Sequence, residues 1–350
     1  MSHELQKPPT VPGNPGSKCV ALPCAVSLHQ GAARILEFFA SQNGPALETL
    51  SAAEARAEFD RLVPLIRGDL EDVGSVSELE IPGPGGRLRL RVYRGKGAAA
   101  EQAAGIVYFH GGGWVLGGLE SHDDVCRTLA NAALAVVICV DYRLAPEFPF
   151  PAGFDDCHRA LCYAAENSRD FGIDPGALAV AGDSAGGCLA AATAIRCQRE
   201  SGPDLAAQLL FYPNTDARLN TPSVDLFSEG FGLTEKTMRW FRDSTAPDPA
   251  AFTDWRLSPL LCDDLSGLPP CFAVLAEADI LRDEAIAYCG RLKAAGVDVE
   301  YDVWPGQIHG FVVMGRFIDQ AAPAIRSVAS AFSRLAGKTP AADISGGFDR

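Results

Sequence analysis

Six short, mostly apolar runs, at residues 106–109, 136–140, 178–181, 208–212, 272–275 and 299–303, are each followed by a helical segment or a glycine-rich turn. Continuous apolar runs alternating with helices predict a mostly parallel sheet covered on both faces, the α/β class, because a strand buried on two sides has no polar face to show. Such sheets carry function at the carboxyl ends of their strands. Ahead of them, RLRLRVYR at 87–94 alternates charged and apolar residues at period two and follows the turn residues PGPGG. That pattern predicts one arm of an antiparallel hairpin.

Residues 30–67 read as a helical piece that precedes every strand. The stretch 213–259 breaks the alternation. It is turn-rich, with one helical patch near 234–242, and is expected to lie above the sheet as an insertion beside the N-terminal helices. The expected organisation is an N-terminal arm with cap helices over 1–75, a catalytic domain over 76–337 with a cap insertion at about 214–256, and a tail over 338–350. The first 18 residues and the tail are rich in Pro, Gly and Ser and are expected to be flexible.

The strongest local signal is LAVAGDSAGG at 178–187, where an apolar strand runs into Gly182-Asp183-Ser184-Ala185-Gly186 and an alanine-rich helix follows. A serine at the tip of a sharp strand-to-helix turn projects its hydroxyl from the sheet, and the flanking glycines avoid clashes with neighbouring elements. The helix beginning at Ala185 sets its partial positive charge where negative charge develops in acyl transfer. Ser184 is therefore the candidate nucleophile. The competing reading is a glycine-rich turn with an incidental serine.

A second signal is YFHGGGWVLGG at 108–118. Successive glycines let backbone N–H groups point into one space, so Gly111, Gly112 and Ala185 are the expected oxyanion donors. Phosphate binding has no GxxxxGK[ST] or GxGxxG context to support it. Trp114 and Asp183, beside these motifs, are expected to line the substrate pocket, although a buried aromatic serves equally well as core.

Of six histidines, His309 in WPGQIHGF alone follows the last expected strand in a loop before the final helix, where an imidazole can reach Ser184. The segment CFAVLAEADILRDE offers Glu277, Asp279, Asp283 and Glu284 as the acid. Asp279 is preferred because it lies just beyond the strand, whereas Asp283 and Glu284 suit the first turn of a helix. The order Ser, Asp, His is that of α/β-hydrolases.

With HGGG at His110, GDSAGG at Gly182, DYRLAPE from Asp141 to Glu147, ADILRDE and the HGF triplet at His309, the chain resembles the hormone-sensitive-lipase-like family of bacterial and metagenomic esterases. The resemblance implies an α/β-hydrolase fold with an eight-stranded sheet whose first strands are antiparallel, and a cap built from N-terminal helices plus an insertion. It implies carboxylesterase activity on short- to medium-chain acyl esters and supports the oxyanion assignment. Phe148 stands where many relatives have histidine, and Trp255 interrupts the usual DPRxSPL pattern; neither touches the expected machinery.

Composition narrows the partners. A net charge of −14 without a Lys/Arg run disfavours nucleic acid and fits a neutral small-molecule ester. Eleven cysteines lack CxxC pairs or zinc spacing, so no metal or cofactor is expected, and a reduced, cytoplasmic setting is the simpler reading. The N-terminus does not read as a signal peptide, and no apolar stretch approaches the roughly 18 residues of a membrane span. A homodimer is a further expectation. Two alternatives stay open: a ligand-binding protein on the same scaffold without a working base, and an amidase, lactonase or carbamate hydrolase using the same residues.

Overall fold

A computed structural model describes residues 26–335; the terminal segments expected to be flexible lie outside the described residues. The strands are β1 (Ser75–Gly83), β2 (Gly86–Arg94), β3 (Ala103–Phe109), β4 (Ala135–Asp141), β5 (Ile173–Asp183), β6 (Ala207–Phe211), β7 (Cys271–Ala278) and β8 (Val299–Ile308). They form one sheet in the order β1-β2-β4-β3-β5-β6-β7-β8. The β1–β2 hairpin and the β2–β4 pairing are antiparallel, and every later pairing is parallel.

The helices are α1 (Gln30–Ser41), α2 (Ala52–Ile66), α3 (Asp123–Ala133), α4 (Ala152–Glu166), α5 (Ala185–Glu200), α6 (Pro222–Leu226), α7 (Glu235–Thr245), α8 (Arg282–Ala294) and α9 (Ala321–Leu335). Two apolar layers sandwich the sheet. Val107 and Phe109 of β3 face Leu161, Leu189 and Tyr288 of α4, α5 and α8, while Ile106 faces Ile35, Leu129 and Val328 of α1, α3 and α9. Both faces of β3 are thus apolar, which is why its sequence reads as a continuous run and not as an alternation. Fully burying each such aliphatic or aromatic side chain is worth about 1.5–3 kcal/mol.

The helical piece expected over residues 30–67 is two helices. Asn43 adopts the left-handed conformation (φ 49°), Pro45 follows, and α2 starts afresh from a capping box in which the Ser51 hydroxyl accepts from the Glu54 amide and Glu54 reaches back to the Ser51 amide. A third apolar cluster joins Ala55 of α2, Met238 and Phe241 of α7, Val224 of α6 and Val115 and Leu116 of the glycine loop. Helix α2 is also clamped from below. The Arg56 guanidinium donates to the carbonyls of Val115 (2.8 Å) and Ala145 (2.7 Å) and forms a two-pronged pair with Glu147 (2.9 and 2.6 Å). No helix among the described residues is long and apolar enough to cross a membrane.

Candidate active site

Ser184 stands between β5 and α5 with φ 55° and ψ −119°, a strained conformation for a residue bearing a Cβ. The surroundings enforce it. The Ser184 amide donates to the Phe211 carbonyl at the end of β6 (2.9 Å), and the Ser184 carbonyl accepts from the Asn214 amide (3.1 Å). Glycines flank the serine because a Cβ on Gly186 would collide with the Phe109 carbonyl, and one on Gly182 with the Gly186 carbonyl.

His309 follows β8 and precedes Gly310, whose φ of 78° turns the chain back. Its Nε2 lies 2.8 Å from Ser184 Oγ and its Nδ1 2.8 Å from Asp279 Oδ2. Asp279, just beyond β7, is 1% exposed, and its other oxygen accepts from the Leu281 amide (2.9 Å). The Tyr212 ring meets the imidazole edge-on with centroids 4.8 Å apart, bracing it from the side. Hydroxyl, imidazole and carboxylate are thereby in series.

The neighbouring acids are committed elsewhere. Glu277 accepts from the Gly306 amide (2.7 Å), and Asp283 from the Ser223 amide (2.9 Å). Glu284 is fully buried and accepts from Asn214 Nδ2 (2.9 Å) and the amides of Thr215 (2.7 Å) and Asp216 (3.1 Å). Burial raises its carboxyl well above the usual range, against the pull of those amides. Among the other histidines, His29 caps α1, His158 lies within α4, and His110 is buried with its ring stacked on Tyr142 (centroids 4.3 Å). Burial and the neighbouring His122 push the His110 imidazole down to about 3, so it is neutral.

The glycine loop departs from expectation at one position. The Gly111 amide donates to Asp183 Oδ1 (2.9 Å) and approaches His122 Nε2 (3.2 Å), so it is occupied and is not an oxyanion donor. Among the described residues, the amides of Gly112, Gly113 and Ala185 have no hydrogen-bond acceptor. Gly112 and Gly113 have φ of 118° and 61°, and a Cβ would collide with the Leu116 carbonyl in the first case and the Phe241 ring in the second. The loop is therefore glycine for two reasons, its handedness and the helix α7 resting on it.

Asp183, expected beside the substrate, is likewise committed elsewhere. It is 3% exposed and its carboxylate is taken up by Tyr108, Gly111 and His122. Trp114 is buried, with φ 62°, and lines a small aromatic cavity with Tyr142, Phe150, Phe154, Leu189 and Leu257. Sequence reasoning did not single out Tyr212, Tyr108 or His122. A usable signal existed for Tyr108, since a tyrosine near the end of a fully apolar strand needs a partner for its hydroxyl.

Residues 106–313 match the family described as having the alpha/beta hydrolase fold. The chain belongs to the α/β-hydrolase family, in its hormone-sensitive-lipase-like branch. It is 40% identical over 280 residues to an ethyl acetate hydrolase of Pseudomonas putida, covering 79% of this chain and 87% of that protein. It is 44% identical over 250 residues to the carboxylic ester hydrolase LipN of Mycobacterium tuberculosis, which spans 68% of this chain and 64% of the relative. Among solved structures, an ester hydrolase from the Lake Arreo metagenome, bound to a bipyridine phosphonate derivative, superposes with a TM-score of 0.86 at 39% identity. That match covers 89% of this chain and all of the other. An esterase of the archaeon Pyrobaculum calidifontis gives a TM-score of 0.83 at 37% identity, over 88% of this chain and 99% of that one.

Proposed function

We propose that this chain hydrolyses esters of short- to medium-chain carboxylic acids through an acyl-enzyme formed on Ser184. It is a carboxylic ester hydrolase of the serine type, a reading supported by the activities named for its relatives. The observation that carries the mechanism is the unbroken series Ser184 Oγ, His309, Asp279, with both links at 2.8 Å.

His309 Nε2 takes the Ser184 hydroxyl proton as Oγ attacks the ester carbonyl carbon, and the carbonyl π pair moves onto oxygen. The amides of Gly112, Gly113 and Ala185 receive that oxyanion, replacing the set containing Gly111. Collapse breaks the bond to the alcohol oxygen, which leaves with the proton held on His309. Water then repeats the cycle on the acyl-enzyme and releases the acid. Asp279 accepts from Nδ1–H throughout, fixing the tautomer that leaves Nε2 free to accept.

The third apolar cluster, shared by α2, α6, α7 and the glycine loop, supports reading residues 1–75 and about 214–256 as a cap over a catalytic domain of 76–337. The aromatic cavity at Trp114 supports a small acyl or alcohol group as its occupant. A cytoplasmic location and a homodimer complete the reading. Light scattering on the purified chain checks the second.

The test compares p-nitrophenyl esters of increasing acyl length with the matching anilides, alongside fluorophosphonate labelling. Rates highest on acetate to hexanoate esters, negligible anilide cleavage and a label on Ser184 are expected. Anilide turnover matching ester turnover would make the chain an amidase, and labelling that survives Ser184→Ala would remove the nucleophile assignment.

A further inference from the structure

Beneath the glycine loop lies a buried polar cluster that the reaction does not use directly. Asp183, 3% exposed, receives the Tyr108 hydroxyl at Oδ1 (2.8 Å), the Gly111 amide at Oδ1 (2.9 Å), and His122 Nε2 at 3.1 Å from Oδ1 and 3.2 Å from Oδ2. His122, 2% exposed, is held from its far side by Ser121 Oγ, 2.8 Å from Nδ1. The Ser121 hydroxyl in turn donates to the Gly118 carbonyl (2.9 Å) and accepts from the Gly118 amide (3.0 Å), tying both ends of the loop to the cluster. The second histidine nearby, His110, is neutral, with Nδ1 2.8 Å from the Gly111 carbonyl.

The Tyr108 hydroxyl and the Gly111 amide both donate to Asp183, and His122 Nε2 lies against both of its oxygens, an arrangement suited to a carboxylate. Burial alone would raise its pKa, yet His122 and the Tyr108 hydroxyl hold the carboxyl below its ordinary value. A bare buried anion directly behind an oxyanion site would oppose the developing charge there. The hydrogen bonds from Tyr108 and the Gly111 amide disperse that charge, as a buried anion requires. The covalent neighbourhood is equally direct: Asp183 immediately precedes Ser184, and Gly111 immediately precedes Gly112.

We propose that Asp183 and His122 are a positioning pair for the oxyanion loop. Asp183 draws the Gly111 N–H away from the reaction space and so orients the next two amides, of Gly112 and Gly113, toward the carbonyl oxygen, while His122, braced by Ser121, holds the carboxylate in place. The pair touches no substrate atom. This rests on the acyl-transfer reading above and adds to it a reason for the Asp-Ser order in the turn.

The test is Asp183→Asn, with Tyr108→Phe as a milder second variant, each read by kcat, KM and inhibition by a phenylboronic acid, whose serine adduct carries a tetrahedral oxyanion. Asp183→Asn is expected to lower kcat and boronate affinity together by about a hundredfold, as loss of an oxyanion donor does, with KM changed less than about threefold. Tyr108→Phe removes one of the donors to the carboxylate and is expected to give the same split at about three- to tenfold. It also decides the matter should Asp183→Asn fail to fold. Either variant, folded by circular dichroism, with kcat and boronate affinity at wild-type values overturns the positioning role. A wild-type chain that neither cleaves esters nor binds boronate overturns the hydrolase reading instead, and this one with it.

Discussion

Asp279 carries the sharpest residue-level prediction. Its Oδ2 faces His309 Nδ1 and its Oδ1 is fixed by the Leu281 amide, so Asp279→Asn keeps size and packing while presenting an amide that favours the wrong imidazole tautomer. Turnover should fall by about 10⁴ with the melting temperature nearly unchanged, as measured by p-nitrophenyl acetate hydrolysis and calorimetry. Near-normal turnover would move the acid elsewhere. The same scale shows what sequence conveys about a site. Ser184, His309 and Asp279 were legible because each directly follows a strand, where the chain order and the fold class together leave few choices. Gly111 was misassigned for a physical reason. Which amide of a glycine run is left free depends on a side chain 72 positions away, and that approach is set by the register pairing Phe109 with Gly182 across β3 and β5. Spacing along the chain carries no record of it.

At the scale of elements, the strands were legible and the helical entry less so. Strands β3 to β7 announce themselves because burial on both faces demands apolar runs, whereas the break between α1 and α2 turned on Asn43 and Pro45, which interrupt an otherwise helical composition. The docking of α2 onto the loop at Ala145 to Glu147 was not legible at all, since it rests on one side chain, Arg56, meeting four acceptor oxygens. That contact has a pH signature. Hydrogen bonding from Arg56 chiefly, with help from the local backbone, lowers the Glu147 carboxyl from 4.5 to about 2. A folded pKa below the unfolded one means the pair adds stability above the unfolded value near 4.5, and loses it progressively as the pH falls toward about 2. Because the Glu147 side chain is 51% exposed, screening reduces the gain well below what the shift alone suggests. Glu147→Gln should therefore lower the melting temperature by about 1–3 °C at pH 7 and by progressively less toward pH 3, followed by calorimetry. A penalty that grows as the pH falls would reverse the sign and remove the ion pair as its origin.

For the whole molecule, the net charge of −14 acts on substrates before any contact forms. A summed negative field raises the local potential energy of anions and leaves neutral molecules untouched, and salt weakens it as the Debye length falls from about 30 Å at 10 mM to about 10 Å at 100 mM. The two carboxylates beside the reacting hydroxyl are buried and held by hydrogen bonds, Asp279 by the Leu281 amide and Asp183 by Tyr108 and the Gly111 amide, so neither presents itself to an arriving substrate. Discrimination against anionic esters should then come mainly from the long-range field, and long-range fields are the ones salt removes. Raising ionic strength from about 10 to about 200 mM is expected to increase kcat/KM for the monoanionic p-nitrophenyl hydrogen succinate by about two- to fivefold. Over the same range, neutral p-nitrophenyl acetate should change by less than about 1.5-fold, because no charge on it couples to the field. If the anionic ester instead loses efficiency with salt, a local positive potential at the entrance outweighs the molecule's overall charge.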